Sequence, residues 1–268
     1  ATPTFFSSYF PYILCKFALM KKLFFVLSFF SLLGFSQENQ KIDSVGSENY
    51  EKKFDLIDSL IENEEYFLAI QEVNNITSLD PKNIRAYEYE GDIYSKWKKY
   101  HKSLESYNKI LSIDSMRANI YNKIGIVYHF YLNDLEKGLL NYNKAISIDP
   151  LYFAPYSNRA DLYVKRENKR GKTEDYKDAI LSYTKAIDLD TTNNPELYIK
   201  RARCYTVRPN LIDNQYNLAV NDYNSAISIR NDYYYYYYLR AFTKSKYLLK
   251  YESAIKDFKT SIELDSTY

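Results

Sequence analysis

The chain holds few side chains able to do covalent chemistry. His101 and His129 are its only imidazoles, and Cys15 and Cys204 its only thiols. A zinc site needs three or four such ligands at short spacing, and none of these four stands that way to another. A phosphate-binding loop needs glycines whose amides wrap the anion, but the chain has six glycines in all, of which Gly91, Gly125 and Gly138 fall in apolar, periodic stretches. No serine lies in a Gly-x-Ser-x-Gly elbow. The paired carboxylates Glu64-Glu65 fall at a helix turn, where solvation accounts for them. Cys204, between Arg203 and Tyr205, reads as a small packing residue. The residue types therefore lead to no catalytic constellation, no cofactor and no metal.

Two stretches could instead bind. Lys165 to Thr173 carries five basic residues and one acidic residue and reads as a long solvated turn, or as a contact for an acidic partner. Tyr233 to Tyr238 are six tyrosines in succession. On a helix such a run points in all directions, so one face must stay out. Tyr237 is expected in the core, and the exposed rings would form a stacking surface for a peptide or a glycan. The run is also uncharged and rich in β propensity, an aggregation hazard when unfolded.

Charge excludes other classes. The 36 basic and 34 acidic residues give a net charge of +2. The first 36 residues contain no Asp or Glu, and Met20-Lys21-Lys22 followed by Leu23 to Leu33 and Gly34-Phe35-Ser36 has the basic, apolar and small-residue regions of a secretory signal. Its apolar core is shorter than the roughly 20 residues that span a bilayer, although a retained anchor is the alternative. Residues 1–19 read as upstream or non-native sequence, 20–36 as the signal, and 37–49 as a polar, flexible lead-in. Cys15 precedes Met20 and lacks a small residue before it, which excludes a lipoprotein signal. Without Lys16, Lys21 and Lys22, 33 basic residues face 34 acidic ones, so no basic excess points to nucleic acid.

What must position any binding residue is a repeat. Asn141-Tyr-Asn-Lys-Ala-Ile-Ser-Ile-Asp-Pro150 returns as Ser182 to Asp190 and Asp222 to Arg230, with fainter copies at Glu72 to Pro81, Ser106 to Asp114 and Asp257 to Asp265. Tyr142, Ala145 and Ile146 fall on one helical stripe, and Asp149-Pro150 ends the helix, since the residue before proline avoids the helical region. Upstream of these copies lies another helix, with a small residue three before a tyrosine: Gly91-Tyr94, Gly125-Tyr128, Ala160-Tyr163 and Ala202-Tyr205. A further tyrosine stands four before each small residue, at Tyr87, Tyr121, Tyr156, Tyr198 and Tyr237.

From the small residue of one second helix to that of the next first helix the steps are 22, 22, 22, 23 and 22 residues; inside a unit they are 12, 13, 19, 17 and 13. One junction is constant while the other turn absorbs insertions, as a stack of helix pairs requires. In the first unit Ile57 replaces the small residue, as terminal repeats tend to be atypical.

These residues resemble the tetratricopeptide repeat family over about residues 50 to 268. The resemblance implies an all-α, right-handed α-solenoid of about six helix-turn-helix units, near 50–81, 84–115, 118–150, 153–191, 195–231 and 234–266. It implies a concave groove lined by the first helices. The family's inward positions fall on Phe54, Asp58, Glu88 and Asp92, then Asn122, Ile126, Ser157 and Asp161, and finally Ile199, Arg203, Tyr235, Tyr238 and Phe242. The lysine and asparagine clamp with which chaperone-binding members hold a terminal carboxylate is absent, because Asp58, Asp92 and Asp161 take the asparagine positions. The groove is expected to grade from acidic to aromatic and to suit a partner basic at one end and apolar at the other. The expected function is an exported scaffold, in the periplasm or cell envelope of a bacterium, that binds a protein or peptide without catalysis. The alternatives are the repeat portion of a longer enzyme or signalling protein continuing past Tyr268, whose last unit lacks the family's solvating helix, and a glycan-binding envelope protein.

Overall fold

The computed structural model describes residues 50–170, 174–207 and 210–265, apart from the side chains of 168–170. The expected signal and lead-in, Gly171 to Thr173, Arg208-Pro209 and the last three residues lie outside the described residues. Among those described, the chain is helix and turn with no strand. It divides into two compact bodies, Ala1–Ile76 and Thr77–Tyr268. In the first, residues 50–62 form α1, and α2 (Tyr66–Leu79) begins. Phe54, Ile57, Ala69, Ile70, Val73 and Ile76 are buried there.

The second body is a series of five helix pairs: α3 (Ile84–Lys96) with α4 (Tyr100–Ile113), α5 (Ala118–Ile126) with α6 (Leu135–Ile148), and α7 (Phe153–Arg170) with α8 (Glu174–Leu189). They continue as α9 (Pro195–Val207) with α10 (Gln215–Ile229), and α11 (Tyr234–Lys246) with α12 (Tyr251–Leu264). Each helix from α4 to α11 packs on its neighbours in the chain, within a pair and between pairs. This is the all-α repeat fold expected from the spacing.

The recurring tyrosines do two different jobs. Those of the second helices, Tyr107, Tyr142, Tyr183 and Tyr223, are buried. Tyr107 lies flat over Gly91 and Tyr142 over Gly125. A Cβ at Gly125 would stand 2.5 Å from the Tyr142 ring, and one at Gly91 would press into Tyr107 as hard. The small residue is thus a seat for a ring. In three units the tyrosine four before it is a staple. The hydroxyls of Tyr87, Tyr156 and Tyr237 donate to the carbonyls of Pro81, Pro150 and Asn231, each six residues back, at 3.1–3.2 Å. In the tyrosine run the core position therefore belongs to Tyr236, 1% exposed, and not to Tyr237.

Helix ends follow side-chain chemistry more than proline. The Asp80, Asp114, Asp149 and Asp190 carboxylates accept from the amides two residues on, at 2.9–3.2 Å. This Asx turn draws the backbone out of the helix whether or not proline follows. Unit three has one residue more between its small positions than unit two. A π-helical turn at Val127–Tyr131 takes it up, with Leu132 N–H donating to the Val127 carbonyl at 3.0 Å.

The stretch expected as a solvated turn from Lys165 is helical as far as Arg170. Lys165 Nζ donates to the His129 carbonyl at 2.8 Å, and Arg166 forms a bidentate pair with the buried Asp175, its Nε at 2.8 Å. The pairing carboxylate comes from the next helix, so the local charge count misjudged this segment.

A repeated arginine clamps the second helices. Arg201 Nε and Nη2 donate to Asp222 at 2.9 and 2.7 Å, and its Nη1 reaches Thr184 of the preceding pair at 2.9 Å. Arg240 does the same with Asp257 and Asn224, and Arg159 with Ser182 and Asn143. Each guanidinium also packs on the tyrosine three residues back. Burial raises the Asp222 carboxyl pKa despite Arg201. Burial also opposes the Asp257 charge, but Arg240 and Lys244 together hold that carboxyl below its ordinary value. Replacing Arg201 by Met leaves Asp222 buried and unpaired. We expect a loss of about 3–5 kcal/mol in urea unfolding at pH 7, shrinking at pH 4 as Asp222 takes up a proton.

Candidate functional site

The first helices of the second body enclose two equivalent clefts, two pairs apart. One, of about 250 Å³, is lined by Asp92, Ser95 and Lys96 of α3, Tyr107 of α4, Lys123 and Ile126 of α5, and Val127 and Tyr131 of the π turn that follows it. The other, of about 390 Å³, is lined by Asp161 and Val164 of α7, Tyr176 and Tyr183 of α8, and Lys200, Arg203, Cys204 and Val207 of α9. Counted from the small residues, Asp92 matches Asp161, Lys123 matches Lys200 and Ile126 matches Arg203. Tyr131 stands six after Gly125 where Val207 stands five after Ala202, the offset of one that the π turn introduces.

Each cleft has the same polar floor. Asp92 accepts from the Tyr107 hydroxyl at 2.5 Å and from Lys123 Nζ at 2.6 Å, while Lys123 also reaches Glu88 at 2.9 Å. Asp161 accepts from the Tyr183 hydroxyl and, at 2.8 Å, from Lys200 Nζ. Burial above all, and then the neighbouring carboxylate, pushes both phenols far above their ordinary pKa, so they serve as donors. Burial alone would lower Lys123, but Asp92 and Glu88 outweigh it and keep its ammonium charged.

The acidic end expected of the groove is therefore partly neutralised, one lysine serving both Asp92 and Glu88. The lysines that do this were missed because they lie 31 and 39 residues from their carboxylates. A signal existed: both lysines stand two before a small residue, and both aspartates stand one after the preceding small residue.

The remaining expected positions divide. Asn122 and Ile199 are buried, Asn122 accepting from Asn158 Nδ2 at 2.9 Å, so neither presents a side chain to a partner. Ile126 is partly buried at its cleft. Arg203 is exposed at the rim of its cleft, without an ion pair among the described residues. Asp58 is exposed in the first body. On α11 the rings of Tyr235 and Tyr238 stack at 6.1 Å, and those of Tyr238 and Phe242 at 6.4 Å. Tyr238 is 44% and Phe242 39% exposed, so they form an accessible aromatic row.

Groups that could react are held inert. Cys204 is a free, buried thiol whose pKa burial pushes up to about 12. His129, on the π turn, is 1% exposed, its Nδ1 3.3 Å from the Tyr142 hydroxyl. Burial, then Lys165, lowers its pKa to about 4. Among the described residues no group of three His, Cys, Asp or Glu could hold a metal ion. Nor is any helix there long and apolar enough to cross a membrane.

The family model described as tetratricopeptide repeat matches residues 84–115 and 118–150. A curated relative, the DnaJ homolog subfamily C member 7 homolog of Dictyostelium discoideum, is 30% identical over 143 residues, 47% of this chain and 25% of its own. The chain thus spans about a quarter of that relative's length. Among solved structures, the C-terminal part of a TPR repeat-containing protein from Cytophaga hutchinsonii superposes with a TM-score of 0.62 at 18% identity, over 80% of this chain and 79% of that one. YrrB, described as a TPR protein with an unusual peptide-binding site, gives a TM-score of 0.57 at 16% identity, over 73% and 93%. At these identities the structural likeness concerns the fold alone.

The buried His129 makes stability depend on pH. Its folded pKa of about 4 lies below the ordinary 6.5, so the unfolded chain takes up the proton first. Its contribution is constant above about pH 6.5 and is lost as pH falls towards 4, by up to about 3 kcal/mol. Urea midpoints at pH 7 and pH 4.5 should fall further in the parent than in His129→Asn.

Proposed function

With a chain built of tetratricopeptide repeats as the premise, we propose that it is an interaction scaffold whose first-helix face binds an extended protein or peptide segment. The observation that carries this reading is the accessible aromatic row of Tyr235, Tyr238 and Phe242, two of whose rings stand out on one face of a helix otherwise packed on its neighbours. Exposed aromatic rings held by packing supply binding area at little entropic cost, and such residues dominate interface energies. Arg203, on the preceding first helix, adds a cation free to meet a carboxylate. The partner's apolar anchor belongs at the aromatic row. The basic end expected from the sequence has weaker support, because Asp92 and Asp161 are already paired with Lys123 and Lys200.

The chain acts by binding, without a reaction of its own; its thiol and its buried imidazole both serve packing. The basic, apolar and small-residue regions of residues 20–36 support export to the cell envelope. Capture from an envelope extract, followed by titration of the recovered partner, tests the reading. Phe242→Ala with Tyr238→Ala should weaken binding about 30-fold or more, equivalent to about 2 kcal/mol. Equal affinity of parent and double variant would remove the aromatic row from the interface.

A further inference from the structure

The turns inside three helix pairs of the second body, from α3 to α4, α5 to α6 and α11 to α12, combine lysines with exposed aromatic and aliphatic side chains. The turn from α3 to α4 reads Ser95-Lys-Trp-Lys-Lys-Tyr-His-Lys102, and no Asp or Glu occurs from Ile93 to Leu104. Lys96, Lys98 and Lys102 are exposed. Neither they nor Lys99 has a carboxylate partner among the described residues. Instead Lys99 Nζ sits 3.0 Å from the centre of the Trp97 ring, and Lys102 lies over Tyr94 at 5.4 Å.

The neighbouring turn continues the same surface. The π turn of unit three places Tyr131 against Tyr100, ring centres 4.7 Å apart, and leaves Phe130 47% and Tyr131 48% exposed. Lys165 of α7 lies 5.9 Å from the Phe130 ring. In the last pair, Lys246-Tyr-Leu-Leu-Lys-Tyr251 repeats the pattern, with Leu249 65% and Tyr251 58% exposed and Lys246 and Lys250 on the surface. Tyr247 ties this turn to the one before it by stacking on Tyr216 at 4.3 Å and donating to the Thr206 carbonyl at 3.4 Å. The edge therefore carries its charge locally, in a chain whose total is only +2.

We infer that this edge, with Trp97 at its centre, docks on an anionic lipid bilayer. Lysines near an anionic surface are drawn to its headgroups, and indole and phenol rings settle at the polar–apolar boundary. Both are here side by side, on the turns between helices. The exposed Phe130 and Leu249 distinguish a bilayer from a nucleic acid or an acidic protein surface: phosphates or carboxylates alone give a phenyl ring and an isobutyl group nothing to enter, whereas acyl chains do. The inference rests on the turns from α3 to α4 and of unit three; at the last turn the edge adjoins the aromatic row on α11, where Lys246 Nζ lies 5.0 Å from the Phe242 ring and Tyr247 meets that ring edge-on at 6.4 Å.

Trp97 is the only tryptophan in the chain, so its fluorescence reports this edge directly. The test mixes the full chain with vesicles of phosphatidylcholine alone and of phosphatidylcholine with 30% phosphatidylglycerol. Because residues 1–36 are themselves apolar, total vesicle binding is not the readout. The readouts are the blue shift of Trp97 emission and its quenching by brominated acyl chains. We expect both with anionic vesicles and not with neutral ones, weakening as salt rises. Lys98→Glu with Lys99→Glu should reduce the apparent affinity about tenfold or more, and Phe130→Ser should reduce quenching at unchanged circular dichroism. The inference is overturned by an unshifted Trp97 on anionic vesicles, by equal shifts on both vesicle types, or by a shift that the charge reversals leave in place. It is also overturned if polyglutamate or DNA shifts Trp97 while anionic vesicles do not.

Discussion

A tyrosine ring lying against bare backbone sets the geometry of the first two pairs in the second body. Where Tyr107 covers Gly91 and Tyr142 covers Gly125, the two helices of a pair cross at a distance fixed by the thickness of an aromatic ring. Ala160, Ala202 and Ala241, each fully buried, hold the corresponding places further on. A ring of this size removes a large apolar area from water, while its hydroxyl still needs a partner. The chain supplies one nearby: Asp92 of α3 for Tyr107, Asp161 of α7 for Tyr183 and His129 of the π turn for Tyr142. The packing residue and the polar floor of each cleft are therefore the same side chain, which couples the stability of a pair to the character of the surface it presents.

That coupling explains where the charges went. A carboxylate held by a buried phenol must be balanced, and a lysine from the next first helix does so in units two and four. In units four, five and six an arginine on the opposite side of the first helix joins two successive second helices. These long-range pairs leave few free charges inside the stack. Arg203 and Lys96, Lys98, Lys99 and Lys102, which have no carboxylate partner among the described residues, stand on the surfaces that we assign to binding.

The repeat, its two helix classes and their constant junction were legible in the sequence because each rests on spacing, and spacing survives substitution. The aromatic row was legible for the same reason, since Tyr235, Tyr238 and Phe242 fall one turn apart. What was not legible depended on contacts between units. The Lys123 and Lys200 pairs required knowing which helix faces which. The run from Lys165 looked like a solvated loop because the Asp175 partner of Arg166 sits beyond it on α8. Tyr237 looked like a core residue by its place in the pattern, yet its hydroxyl is needed at the turn and Tyr236 fills the core. Lys96 to Lys102 drew no attention in a chain of near-zero charge, and its significance emerges only when Tyr131 is found stacked on Tyr100.

The most direct test of the ring-on-backbone constraint is a double-mutant cycle at Gly91 and Tyr107, read by urea unfolding. With Tyr107 present, Gly91→Ala should destabilise by about 1–3 kcal/mol, because the ring has nowhere to move. In a Tyr107→Leu background the same change should be neutral or stabilise by up to about 1 kcal/mol, as alanine ordinarily does in a helix. An equal cost in both backgrounds would contradict the account, since the methyl group would then be clashing with something other than the ring.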